Sequence, residues 1–325
     1  MPSQKKTLSL ICPVMNEEEA IPLLLKELEP HLEKAMSLMG KGAAYEILFV
    51  DDGSRDKTVE VITEQSRKND RIKLLRFSRN FGKEAALAAA LRHASGDAVI
   101  PIDADLQDPP EVIVKMVQAW LDGADVVNAK RSNRDTDSFI KRLTASAFYK
   151  VYNFIAKDPI PENVGDFRLL DRVAVDEINK FTERNRFMKL LFSWVGYKQA
   201  TVEYVRPERA AGESKFNYLK LWNFALDGIT GSTTFPLRMW TYIGILLSIF
   251  TLIYAVFIVV KTLIFGVEIP GYASLMVMIL IFGSFNFISL GILGEYIGRI
   301  AEEVRNRPLY IIQEKTGFED KKNKT

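Results

Sequence analysis

Carboxylate and amide side chains gather in three short stretches of the first third of the chain, Asn16-Glu17, Asp51-Asp52 with Gly53-Ser54, and Asp103-Ala104-Asp105 with Leu106-Gln107. Carboxylates that converge on one place repel each other unless a cation or a hydrogen-bond donor shares it. Two aspartates flanking one small residue suit a divalent ion with oxygen ligands, Mg2+ or Mn2+, and a diphosphate bound to it. Asp-x-Asp alone is common on surface turns. Here it directly follows an apolar run and precedes Gln107-Asp108-Pro109-Pro110 and a helical pattern, which is the context a site requires. With Cys12 as the sole cysteine a cysteine-based metal cluster is excluded, and with only His31 and His93 histidine-rich zinc sites and haem ligation are poorly supported.

These residues need elements to hold them. Short β-rich apolar runs at Leu8 to Val14, Tyr45 to Val50, Ile72 to Phe77, Ala98 to Ile102 and Val126 to Ala129 alternate with helical patterns at Glu18–Met39, Asp56–Lys68, Lys83–Ala94 and Glu111–Leu121. The order βαβαβαβαβ predicts an α/β fold with a mostly parallel sheet and crossover helices, Ser54 capping the second helix. In such a sheet, ligands bind beyond the carboxyl ends of the strands, where all three acidic stretches fall. Neither a GxGxxG turn nor a GxxxxGK[ST] loop is present, so a nucleotide would be held by other means. Thr136 to Gln199 reads as a less regular, helix-rich section.

Composition narrows the class. The chain has 325 residues, 43 Lys+Arg against 41 Asp+Glu and 48% hydrophobic residues, enough for a large domain and something more. A net charge of +2, with no zinc-finger spacing and no aromatic RNA-binding stretch, argues against nucleic acid. A lone cysteine in an apolar run is an ordinary buried thiol and fits a reducing compartment. No signal peptide is expected, because the first apolar run is short and lacks a cleavage site. Trp240 to Val260 and Tyr272 to Leu293 are free of charge, each roughly 30 Å long as a helix and so able to cross a bilayer core. Leu219, Trp222 and Leu226 recur at helical spacing, which predicts an amphipathic surface helix just before them, or alternatively a helix packed in a core. Arg238 on one outer flank and Arg299, Arg305 and Arg307 on the other outnumber Lys261 and Glu268 in the connection, so both termini are expected in the cytosol.

Pro13-Val14-Met15-Asn16-Glu17, Val50-Asp51-Asp52-Gly53-Ser54-x-Asp56, Asp103 to Pro110 and Arg209-Ala210-Ala211-Gly212-Glu213-Ser214-Lys215, in this order, resemble family 2 glycosyltransferases of the polyprenyl-phosphate type. The resemblance spans about residues 7 to 310 and is closest to bactoprenol glucosyltransferases, with dolichyl-phosphate mannose synthases as more distant kin. It implies a GT-A fold in residues 1–215, juxtamembrane helices in 216–235, a two-helix transmembrane hairpin in 236–296 and a cytosolic tail in 297–325. It also implies inverting transfer of a sugar, expected to be glucose from UDP-glucose, to undecaprenyl phosphate in a bacterial inner membrane, by a homo-oligomer such as a tetramer.

By the same resemblance, Pro13, Asn16, Glu17, Asp51 and Asp52 line the uridine pocket. Asp103, Asp105 and Gln107 hold Mg2+ or Mn2+ and the diphosphate, and Lys83 lies near the nucleotide, the alternative for Lys83 being a solvated helix-start lysine. The acceptor is a phosphate monoester with a second pKa of about 6, already a nucleophilic dianion at neutral pH, so it needs positioning more than deprotonation. Arg131, Arg134, Arg168, Arg209, Ser214 and Lys215 are the candidates to position it. Asp166 stands where related inverting enzymes keep a carboxylate, and reads as an orienting residue or as the partner of Arg168 or Arg172.

Four other readings compete with this one. A processive polysaccharide synthase is disfavoured by the absence of Gln-x-x-Arg-Trp and by having only two spans, and a transporter by the lack of ionisable residues within them. Another donor, UDP-GlcNAc, UDP-4-formamido-arabinose or GDP-mannose, stays open because pocket shape decides it. A non-catalytic nucleotide-binding scaffold also stays open, since fold alone does not establish function.

Overall fold

A computed structural model describes residues 6–132, 164–183, 186, 188–205, 235–266 and 271–318. The chain forms two compact units, residues 1–216 with 307–325, and residues 217–306.

The first unit is an eight-stranded sheet. β1 (Thr7–Val14), β2 (Ala44–Asp51), β3 (Ile72–Phe77), β4 (Ala98–Pro101) and β5 (Val126–Arg131) are separated by α1 (Ala20–Met39), α2 (Thr58–Lys68), α3 (Lys83–His93) and α4 (Glu111–Leu121), as the alternating pattern predicts. β6 (Val164–Asp171), α5 (Arg172–Lys180), α6 (Met188–Trp194) and β7 (Gln199–Tyr204) follow, and β8 (Ile312–Thr316) closes the chain order. In space the order is β7-β5-β6-β4-β1-β2-β3-β8. β6 runs antiparallel to both β4 and β5, β8 runs antiparallel to β3, and the remaining pairs are parallel.

The central strands are apolar on both faces because helices cover both. Leu10, Cys12, Ile47 and Phe49 face the layer of α1, α2 and α4, whereas Ile11, Leu48 and Val50 face that of α3, α5 and α6. α1 buries Ile21, Leu24, Leu28, Leu32, Ala35 and Met39 at helical spacing. α3 carries five alanines, Ala85, Ala86, Ala88, Ala89 and Ala90, all buried, which lets its backbone lie close to β1 and β2.

Three expectations gain or change detail here. Thr136 to Gln199, read as irregular and helix-rich, contains β6 among its described residues, and β7 begins at its end. Their alternation is hidden by charges such as Asp166 and Arg168, which the sheet buries or half-buries. The C-terminal segment, expected as a cytosolic tail from residue 297, is helical to Val304 and then supplies β8 to the sheet. Ser54 is not a helix cap: α2 starts at Thr58 with Lys57 in the cap position and no side-chain cap bond, and Ser54 Oγ accepts from the Asn16 amide at 2.9 Å.

The second unit consists of α7 (Phe235–Phe265) and α8 (Tyr272–Val304), longer than the charge-free runs alone. Both are long and apolar enough to cross a membrane, and the apolar windows of both lie unburied, with Leu246, Leu252, Leu263 and Phe287 more than two-thirds exposed. The expected amphipathic helix of 216–235 lies almost wholly outside the described residues.

Candidate active site

Because β1, β2, β4 and β5 are parallel, their carboxyl ends share one edge, and because β6 is antiparallel its amino end meets them there. Asp166, the third residue of β6, thus reaches the same edge as Asp103, two residues past β4. Sequence spacing could not reveal this, since the two are brought together by the reversed insertion of one strand.

A cleft of about 330 Å³ opens at this edge, and Pro13, Glu17, Asp52, Lys83, Asp103 and Asp105 line it together with Asn80 and Gly82. The structure therefore gathers six of the residues singled out in the sequence. Asn16 and Asp51 tie the adjoining loops. Asp51 is fully buried and both its carboxylate oxygens accept from the Ser54 amide, at 3.2 and 3.3 Å. Asn16 Oδ1 accepts from the Arg55 amide at 2.8 Å, so the turns after β1 and β2 are tied to each other. Asn16 and Leu106 hold the left-handed conformation, with φ of 57° and 56°, in the two turns that bracket the cleft. Non-glycine residues pay for that geometry, and such strain concentrates at functional sites.

Asp52 organises the third wall. Its Oδ1 accepts from the Phe81 amide at 2.6 Å and its Oδ2 from the Gly82 amide at 2.9 Å. Burial, together with neighbouring Asp51, pushes its carboxyl above the usual range despite these two donors. Gly53 completes the contact: its φ is 79°, and a Cβ there would lie 2.7 Å from the Asn80 backbone nitrogen and 2.8 Å from the Arg79 carbonyl carbon. Gly53→Ala is expected to cost about 2 kcal/mol or more, because an unfavourable φ and a backbone clash add, and to push the 79–82 loop out of the cleft. Chemical denaturation of the variant would reveal the loss; unchanged stability would mean that this loop is not packed on Gly53.

Lys83, the first residue of α3, is the electrostatic centre of the site. Its Nζ lies 2.7 Å from Asp103 Oδ1 and 3.2 Å from Asp166 Oδ2, so it bridges the carboxylate after β4 to the one at the start of β6. Burial alone would lower the Lys83 pKa, but the two carboxylates outweigh it and raise it, leaving the ammonium charged. Burial would raise Asp166, but Lys83, Lys189 and Arg168 hold it below the usual carboxylate range. Glu84, next along α3, is pushed up to about 7 by burial and by Asp166, and its Oε2 accepts from the Met188 amide at 2.9 Å. Sequence reasoning missed Glu84 and Lys189, which carry no motif. For Asp166 it named Arg168 or Arg172 as partner. The direct pair is Lys83 instead, while Arg172 reaches the Ala94 and Gly96 carbonyls and Asp176.

The remaining cations separate. Arg131, at the carboxyl end of β5, points Nε at Tyr204 Oη at 3.4 Å, and Tyr204 Oη donates to the buried Asp108 at 3.2 Å. Arg168 does not reach the open cleft: it is 1% exposed, its guanidinium lies 4.5 Å from the centre of the Phe192 ring, and Nη2 donates to the Gly165 carbonyl at 2.6 Å. The sequence reading placed it among the groups that meet the reactants; its side chain is interior, against Phe192 of α6. Arg134, Arg209, Ser214 and Lys215 lie outside the described residues.

A divalent cation can be tested against the donors present. Asp103 already accepts an ammonium at 2.7 Å, and Asp105 lines the same cleft, so an all-oxygen pair faces one space. Among the described residues no three His, Cys, Asp or Glu side chains come together as a metal cage. The pair therefore fits Mg2+ or Mn2+ as a partial shell that a substrate diphosphate and water would complete. Gln107 is not part of the cleft lining, and its backbone N–H donates to Asp105 Oδ1 at 3.2 Å, which orients that carboxylate.

Comparison with known proteins adds to this geometry. Residues 9–179 match the family described as Glycosyl transferase family 2. The SfII prophage-derived bactoprenol glucosyl transferase of Shigella flexneri is 52% identical over 306 residues, 94% of this chain and 97% of that one. An uncharacterized glycosyltransferase of Synechocystis is 49% identical over 312 residues, 96% of each chain. Among solved structures, mannosyl-3-phosphoglycerate synthase from Rubrobacter xylanophilus superposes with a TM-score of 0.46 at 19% identity, covering 68% of this chain and 71% of that one.

Proposed function

Because the chain belongs to glycosyltransferase family 2, we propose that it transfers glucose from UDP-glucose to undecaprenyl phosphate at a membrane surface, with inversion at the anomeric carbon. The observation that carries this reading is the cleft itself: carboxylates that follow β1, β2 and β4 share it with one charged lysine at the edge where an open α/β sheet takes its ligand. The relatives' bactoprenol substrate supplies the acceptor class.

In this reading a phosphate oxygen of the acceptor attacks C1 of glucose, the bond from C1 to the UDP oxygen breaks, and UDP departs with the electron pair. The acceptor is a dianion at neutral pH, so no base is required, and Asp166 has a different task. Ion-paired to Lys83, it holds the ammonium beside Asp103 and stays ionised itself. Asp103 and Asp105 would hold Mg2+ or Mn2+, which supplies Lewis-acid stabilisation of the departing diphosphate. Glu17 and Asp52 shape the nucleoside end, Asp52 by fixing the Phe81 and Gly82 amides. Arg131 stands at the same edge, held by Tyr204, as the described candidate for the acceptor phosphate. The buried charge of Arg168 helps to keep Asp166 ionised.

α7 and α8 are read as a membrane hairpin. Most of their apolar side chains are exposed among the described residues, and β8, after α8, returns to the same sheet that precedes α7. Such a return requires an even number of crossings, which supports a catalytic unit and both termini on one side, the cytosolic side of a bacterial inner membrane.

The test uses the full chain purified in detergent, undecaprenyl phosphate, and labelled UDP-glucose, UDP-GlcNAc, UDP-4-formamido-arabinose and GDP-mannose, with Mg2+ or EDTA. Label from UDP-glucose should pass into the organic phase only with the metal. Transfer from none of the four, with nucleotide still bound, would replace this reading by a non-catalytic nucleotide-binding scaffold. Arg209→Ala is expected to raise the KM for the lipid about tenfold while leaving that for the nucleotide sugar alone, as loss of one phosphate contact would. Equal losses on both substrates would remove Arg209 from the acceptor site.

A further inference from the structure

We propose that β8, the strand formed after the chain returns from the α7–α8 hairpin, is a working part of the donor cleft, and that Tyr310 is a positioning residue for it. The strand is the sheet edge on β3, with Leu74 opposite Thr316 and Phe77 opposite Ile312, and the register shifts between Arg76 and Phe77. That irregularity falls where β3 hands over to the loop that enters the cleft.

From there a chain of contacts runs to the ligand space. The Ser78 amide donates to the Ile311 carbonyl at 3.0 Å, extending the pairing one residue past β3. Tyr310 stacks on Phe77, with ring centres 5.1 Å apart and planes 9° from parallel. Phe81 meets Phe77 edge to face at 5.7 Å, so Phe77 is held between Tyr310 and Phe81. Phe81 and Gly82 are the residues whose amides bind Asp52, while Asn80 and Gly82 line the cleft and Lys83 follows. One wall of the cleft is thus anchored at its cleft end by Asp52 and at its outer end by Tyr310 and Ile311. The segment that links membrane passage to catalysis lies in contact with the donor loop, so this loop acquires its final geometry only after α8 has been made and the chain has come back.

The functional side of this inference rests on reading the cleft as the donor site; its structural side does not, and two measurements on the full chain in detergent separate them. The first is hydrogen exchange of peptides covering 78–84 in Tyr310→Ala and Tyr310→Phe, with peptides from α1 and β2 as internal reference. Loss of the ring should speed exchange at 78–84 roughly five- to tenfold and leave the reference peptides unchanged, and Tyr310→Phe, which keeps the ring, should match the parent. The second is steady-state transfer, in which Tyr310→Ala should raise the KM for the nucleotide sugar with kcat and the lipid KM within about twofold, rescued by Tyr310→Phe. Should Tyr310→Ala not fold, Tyr310→Leu, which keeps apolar burial without a flat ring, takes its place. Unchanged exchange at 78–84, or equal acceleration everywhere, overturns the proposal. Accelerated exchange at 78–84 with an unchanged nucleotide-sugar KM keeps the contact chain but overturns the reading of this wall as part of the donor site.

Discussion

Asp105→Ala is expected to lower kcat/KM for transfer by about a thousandfold, the scale on which one transition-state charge contact counts in a water-poor site. On the proposed reading Asp103 and Asp105 hold the cation of the diphosphate, so removing Asp105 takes away one of its two carboxylate ligands. The loss should appear in kcat as well as in KM, because charge on the departing diphosphate grows as the bond to C1 breaks. Folding should survive, since Asp105 is half-buried in a turn and lies outside the core. Label transfer to lipid, measured against metal concentration, decides it: parental turnover would remove Asp105 from the site, whereas recovery at high metal concentration would show that it binds the ion without sharing in the barrier.

The second large effect concerns the cation at the centre. Lys83→Met should cut kcat about a hundredfold and change its pH dependence. Burial raises the Asp166 pKa and Lys83 is the strongest of the charges that lower it, so in the variant burial prevails and the pKa moves up. If transfer needs Asp166 ionised, the acidic limb of the kcat profile moves to higher pH. The same linkage fixes the sign for stability. A carboxylate whose folded pKa is depressed contributes stability above its unfolded value of about 3.9, and this contribution is lost as pH falls through the folded value. The variant should therefore lose most stability near neutrality and approach the parent as the carboxylates protonate in acid. A profile displaced in height but not along the pH axis would mean that Lys83 acts on the donor alone, with Asp166 a bystander.

Lys83 also shows how unevenly the site was legible. An expected place near a nucleotide came from the resemblance, as did the expected roles of Pro13, Glu17, Asp52, Asp103 and Asp105, and the structure brings these residues to one cleft. What Lys83 touches was hidden. Asp166 lies far from it in sequence, and the two meet only because β6 enters the sheet reversed between β4 and β5. Asn16 and Asp51 have residue types and positions no different from those that line the cleft, yet their oxygens are committed to the Ser54 and Arg55 amides. Local sequence cannot distinguish a carboxylate that faces a ligand from one that closes a turn, since both satisfy the same hydrogen-bonding demand.

By itself the sequence determined the alternating α/β order as far as β5, the acidic edge and the two long apolar helices, because each of these is written in short-range periodicity or in residue type. The tertiary structure alone decided that Arg168 is interior, that Asp166 answers Lys83, and that the segment after α8 is a strand of the sheet. These depend on strand order and direction. Both are set by which apolar faces pack together and which backbone groups pair across distant parts of the chain, and a strand such as β8, five residues long with three of them exposed, acquires its reason to be extended only from the β3 edge it covers.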